Sequence, residues 1–121
     1  MSAEVLVLDS SLKMQGDTQP TVVSVLTTAG AAFPLTGATL GSGANGNGSF
    51  LAELRDPVGQ LDYTLTGTWS DLVSASGQVS FNWAASDSIQ VVPGAYLFLV
   101  KITISGVLYI PKPAQLVIQA S

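Results

Sequence analysis

The chain has 121 residues, with 47% hydrophobic and only 10% charged residues, a net charge of -4, and no His or Cys. That length fits one domain with a core of its own. The missing Cys exclude disulfides and thiolate metal sites, the missing His removes the usual catalytic base, and the lack of any basic run excludes a phosphate-backbone footprint, so no nucleic-acid partner is expected.

In chain order, the first apolar run is Val5 to Leu8. It is read either as an N-terminal arm within residues 1–10 that docks on a partner or as a first strand, because four consecutive apolar residues are costly in water. Gly16-Asp17-Thr18-Gln19-Pro20 is a turn signal. Gly16 supplies a positive φ, Asp17 caps the turn, and Pro20 suits the start of an edge strand. A strand follows over Thr21 to Thr27, then the punctuation Leu35-Thr36-Gly37-Ala38-Thr39. Gly41 to Gly48 is a Gly-rich loop holding two Asn-Gly pairs, too flexible to pack by itself.

Phe50 to Leu54 is expected to be a strand, although Ser49 and Pro57 could bracket two helical turns up to Asp56. Leu61, Tyr63, Leu65 and Trp69 alternate with polar residues, as do Val79, Phe81 and Trp83. Period-two alternation predicts strands with one wet face, and it places both tryptophans inside. Pro93-Gly94 turns the chain into a third set, Tyr96, Phe98, Val100, Ile102 and Ile104. Its other face carries Leu97 and Leu99, so this strand is either central and covered or part of a contact surface. Val107 to Ile110 and Ala114 to Gln119 complete the series. The expected fold is all-β: an antiparallel, immunoglobulin-like sandwich of seven to nine short strands, one domain over residues 1–121.

The chemistry-bearing motifs are weak. Gly41-x-Gly43-x-x-Gly46 matches a dinucleotide fingerprint by letter, but Pro57 leaves no room for the helix that mechanism needs. Asn47-Gly48-Ser49 is a glycosylation sequon without an apolar leader ahead of it. The acids form no Asp-x-Asp-x-Asp-Gly ladder; Asp56, Asp62, Asp71 and Asp87 fall near turns or on wet faces. Tyr109 is the best candidate for an exposed aromatic. No catalytic residue, cofactor or metal ligand is assigned. No apolar run reaches the roughly 20 residues of a membrane-spanning helix, and none is assigned to a membrane.

The ordered turn signals, Gly16 to Pro20, Leu35 to Ala38, Gly77, Phe81, Trp83, Asp87, Gly94 with Tyr96, and Pro111, resemble the N-terminal domain of the phage baseplate upper protein family and related immunoglobulin-like phage structural domains. The likeness spans roughly Leu12 to Gln119. It implies a non-enzymatic virion protein, made in the host cytoplasm and present in many copies, that binds capsid or tail/baseplate subunits. Tyr96 would then form a tyrosine corner. The Gly-rich stretch departs from the family, and the chain ends at Ser121 where such a protein continues into a shaft. Both departures favour an accessory decoration or adaptor domain. The alternative is a carbohydrate- or host-surface-binding sandwich. The residues expected to touch partners are Val5, Leu6, Val7 and Leu8 in the N-terminal segment and Gly43, Asn45 and Asn47 in the loop.

Overall fold

The computed structural model describes residues 5–39, 49–58, 60–89 and 91–120. Among them ten strands build two facing sheets. They are β1 (Val5–Leu8), β2 (Leu12–Met14), β3 (Thr21–Leu26), β4 (Phe50–Arg55), β5 (Leu61–Thr64), β6 (Thr68–Val73), β7 (Gln78–Asn82), β8 (Gly94–Ile104), β9 (Val107–Tyr109) and β10 (Ala114–Gln119). The helical content described is a 3-10 turn at Ser74–Ser76 and a five-residue helix α1 (Ala85–Ile89).

One sheet has the order β1-β3-β7-β6; the other has β2-β10-β8-β4-β5, with β9 also on β8. This is the arrangement of an immunoglobulin-like sandwich, in which the first strand divides between the sheets. Here β1 runs antiparallel to β3, whereas β2 runs parallel to β10. The parallel pair and the tenth strand depart from the expected count and from an all-antiparallel pattern. Three residues carry no readable alternation, so β2 is invisible to periodicity.

The alternating runs fill the interior as their phase requires. Trp69, Phe81, Trp83, Tyr96, Phe98, Val100 and Ile102 are all buried. Phe81 touches the rings of Trp69, Trp83 and Phe98, at centroid distances of 4.9, 5.2 and 5.9 Å. Trp83 donates its indole N–H to the Thr21 hydroxyl at 2.8 Å, which satisfies a buried donor. The run from Leu61 to Trp69 is two strands rather than one: β5 lies in one sheet and β6 in the other. The crossing passes at Gly67, where a Cβ would lie 2.2 Å from the Asn82 carbonyl oxygen. Only glycine fits there.

Three further expectations are settled by position. Val5–Leu8 is β1, at a sheet edge, with Leu6 in the core; the apolar quartet is a first strand. Pro20 precedes β3, which is an interior strand and not an edge strand. The proline stands just outside the ladder and so costs it no hydrogen bond. Phe50–Arg55 is a strand, with no helical turns. The turn reading at residues 16–20 is confirmed: Gly16 has φ +81°, and the Asp17 carboxylate accepts the Gln19 N–H at 2.9 Å. Tyr96 forms the corner, its hydroxyl donating to the Val92 carbonyl at 2.5 Å.

Candidate interaction surfaces

Two regions could meet a partner, one pole of the sandwich and one outer face. The pole is assembled by three segments. At the first, β1 begins at Val5, which faces Leu26 of β3 and also bridges to Lys112. Leu6 donates its N–H to the Lys112 carbonyl at 3.3 Å. That bond occupies an outward-pointing group of the β1 edge, and Pro111 and Pro113 beside it can donate nothing. At the second, β8 and β9 form a hairpin whose turn, Ser105-Gly106, has both residues at positive φ, 52° and 80°. Such a turn suits the twist of a two-residue hairpin. At the third, Thr39 and Ser49 are joined: the Ser49 N–H donates to the Thr39 carbonyl, and the Thr39 N–H donates to the Ser49 hydroxyl at 2.7 Å. Ser49 also accepts from the Thr103 N–H at 2.8 Å, which fixes this pair beside the hairpin. Phe33 ties the segments together. Its N–H bonds to Val25, and its ring lies 5.2 Å from that of Tyr109.

Of the residues expected to touch partners, Val5 and Val7 are partly exposed on the outside of β1, Leu6 points into the core, and Leu8 is half-buried against it. Gly43, Asn45 and Asn47 lie outside the described residues. Alternation misses the hairpin's contribution. Val107, Leu108 and Ile110 are exposed at the same pole. A short apolar run reads as a buried strand, and only the position of the turn shows that it ends in solvent. Tyr109 is half-buried on Phe33 rather than exposed. None of the nine aromatic side chains is fully presented to solvent.

The outer face of the larger sheet carries a second set. Register places Leu12 beside Val117, and Val117 beside Ala95. Pro57, Ala95 and Val117 line one depression of about 110 Å³ together with Leu97 and Gln115. The result is an uncharged row across three strands and the turn after β4: Leu12, Val117, Ala95 and Pro57. Beyond it on the same face, Glu53 is buried and accepts from Arg55 at 2.9 Å, with Lys101 at 3.7 Å. These ions sit on central strands because side chains two apart on β4 share a face, and β8 places Lys101 alongside.

In the middle of β2 lies the least expected group. Lys13 is 4% exposed. It donates to the Gln19 carbonyl at 2.5 Å, lies 3.7 Å from the Asp17 carboxylate, and stands 5.2 Å above the Trp83 ring. Burial pushes its ammonium below the ordinary lysine range, and Asp17 opposes that shift. Asp87 is buried too, not on a wet face: it accepts from the Thr66 N–H and hydroxyl at 2.8 and 2.7 Å and from the Ala84 N–H at 3.1 Å. From the third position of α1 it reaches back to the N–H of the residue before the helix, and it pins the crossing between β5 and β6.

Among the described residues no group of three or more His, Cys, Asp or Glu could hold a metal ion, and no helix is long and apolar enough to cross a membrane. A second depression, about 160 Å³, is lined by Asp9, Lys13, Asp17 and their neighbours. Both depressions are smaller than the roughly 300–1,000 Å³ of small-molecule sites.

No family model matches the chain, and no curated protein matches it. Solved structures similar to it include the Lin-41 filamin domain, at 13% identity and TM-score 0.48, covering 97% of this chain and 94% of that one. CopC from Methylosinus trichosporium OB3b is similar at 10% identity and TM-score 0.45, covering 96% of this chain and 93% of that one.

Proposed function

We propose that this β-sandwich is a non-enzymatic structural module of a phage virion, a decoration or adaptor domain that seats its 107–112 pole against capsid or tail/baseplate subunits. The observation that carries this reading is the convergence at one pole of the β1 start, the Thr39–Ser49 pair and an exposed apolar hairpin. A chain with 10% charged residues has little electrostatic resistance to packing against neighbours there. The ordered turn signals that resemble the phage domains supply the virion setting. Repetition on a symmetric particle makes weak contacts sufficient, since each added site raises avidity without any single strong bond. Sugar binding would call for an exposed aromatic platform, which the buried tryptophans do not provide.

The test uses purified particles and the recombinant domain. A triple change, Val107→Ser with Leu108→Ser and Ile110→Ser, removes the exposed apolar groups without touching the core. Occupancy on particles should fall at least tenfold while the thermal midpoint of the free domain holds. Wild-type occupancy by the triple variant, or absence of the protein from purified particles, defeats the proposal. Deleting residues 1–8 is a poor test, because it removes Leu6 from the core.

A further inference from the structure

We infer that the uncharged row on the outer face of the larger sheet is a self-association surface, which closes two copies of this chain into a symmetric dimer. This inference does not rest on the particle reading, because it concerns a different face. Three observations converge on a second copy as the occupant.

The first is shape. Val58 is 82% exposed on the turn between β4 and β5. Its neighbour Pro57 lines the 110 Å³ depression. A projecting side chain directly beside a hollow on one patch is what an isologous contact requires. A two-fold axis through the patch sets each Val58 over the other copy's hollow, floored by Ala95, Leu97 and Val117.

The second is charge. The row itself is neutral, and the cation that borders it, Arg55 opposite Leu97, is paired with Glu53, so bringing two copies together there incurs little like-charge repulsion despite the net charge of -4. The nearest acid, Asp56, turns its carboxylate into its own turn, accepting the Val58 and Gln60 N–H groups at 3.1 and 2.9 Å.

The third is area. Leu12, Met14, Pro57, Val58, Ala95 and Val117 leave on the order of 500 Å² of apolar surface in water, near the upper end for a monomer. Two such patches with their glutamine rims bury about 1,200 Å², the lower bound of a specific interface. The dimer should therefore be weak, with a dissociation constant on the order of 100 μM.

Sedimentation velocity from about 10 μM to about 1 mM, bracketing that constant, tests the inference. Wild type should pass from monomer to dimer and stop there. Val117→Lys and Val58→Asp should each stay monomeric throughout, with thermal midpoints near that of wild type. Ser24→Lys, on the opposite outer face, should dimerise as wild type does. A wild type that stays monomeric across the range overturns the inference, as does a Val117→Lys variant that dimerises normally. An open series of larger oligomers also overturns it, since an isologous contact closes at two. Particle occupancy of Val117→Lys separates the two proposals: the pole can bind with this face disabled.

Discussion

The two outer faces of the sandwich keep their surfaces out of trouble by opposite means. At its centre the smaller sheet presents Ser24, Thr68, Ser70, Gln78, Ser80 and Asn82, a polar set without a charge, while its edge strands expose Val5 and Val7 on β1 and Leu72 and Val73 on β6. Members of the polar set bond to each other: the Asn82 amide donates to Ser70 at 2.7 Å and to Thr68 at 3.4 Å, and Gln78 donates to Ser24 at 3.4 Å. The larger sheet presents the neutral apolar row and, beside it, Glu53 held by two cations. A face whose polar groups satisfy one another offers a partner few unmet bonds. A face of apolar side chains gains by being covered. With so few charged residues, the chain uses amides and hydroxyls for solubility at the centre of one face, and runs its apolar row across the strands of the other.

The largest expected effect tests whether the faces share one core. Trp83 packs between the sheets, against Phe81 and Phe98, and also lies under Lys13. Trp83→Ala should cost about 3–5 kcal/mol through the cavity it leaves. Urea unfolding should remain a single transition by near- and far-ultraviolet circular dichroism. Two separated transitions would mean the faces belong to independent units and would dissolve the comparison.

The next effect contrasts the two faces directly. Glu53→Gln leaves Arg55 and Lys101 without their shared carboxylate. It should cost about 1–3 kcal/mol, because one partner of a buried ionic group has been removed. Ser80→Ala, also buried but in the polar face, should cost under about 1 kcal/mol, the scale of a neutral hydrogen bond. Denaturant midpoints of the two variants decide the matter, and equal losses would erase the distinction between an ionic and a neutral face.

Much of this was readable beforehand. Phase alone put Trp69, Phe81, Trp83 and the Tyr96 to Ile102 set inside, since a one-residue slip would have turned every one of them to solvent. The Pro93-Gly94 turn put Tyr96 at the head of the following strand, and the resemblance to immunoglobulin-like domains implied the corner it forms. Periodicity failed where the chain is too short or too irregular to show it. Phe33 and Leu35 enter the core from a connection, and β2 is three residues long. It also failed where a charged residue is buried. Lys13 and Glu53 look like surface residues, yet the fold buries each beside an oppositely charged neighbour close in sequence, Asp17 and Arg55. The apolar row was illegible for another reason: its members are 22 or more positions apart and meet only through the pairing of the strands that carry or flank them.

Lys13, on the core side of β2 and facing away from the apolar row, gives a pH-dependent test. Lys13→Met keeps the shape and the contact with Trp83, loses the bond to Gln19, and removes a desolvated charge. These terms oppose, so the net change at neutral pH should stay within about 1 kcal/mol. The pH dependence is sharper. Burial lowers the folded-state pKa beneath the ordinary 10.5. As pH rises through the window just below 10.5, the folded chain releases a proton that the unfolded chain still holds. Stability contributed at this site therefore rises with pH across that window. Thermal midpoints of wild type minus Lys13→Met, taken from pH 7 upward, should climb as pH nears the lysine range. A flat difference would mean the ammonium is effectively solvated.

The smallest effect isolates the quiet face. Asn82→Ala removes the amide that links Ser70 and Thr68 across the β6–β7 pair. Ser70 is exposed and Asn82 half-buried, so water takes over part of the lost bonding. The cost should be about 0.5–1 kcal/mol, read from the denaturant midpoint. The informative part is what should stay unchanged. The bonds are between neutral groups, so the loss should be the same at low and high salt, whereas the Glu53→Gln loss should shrink as salt screens the exposed portions of Arg55 and Lys101. Self-association should also be unaffected, because Asn82 lies on the face away from the apolar row. If Asn82→Ala instead promotes association, the polar ladder is itself the device that keeps this face free of partners. The contrast would then lie in one face being actively guarded and the other left open.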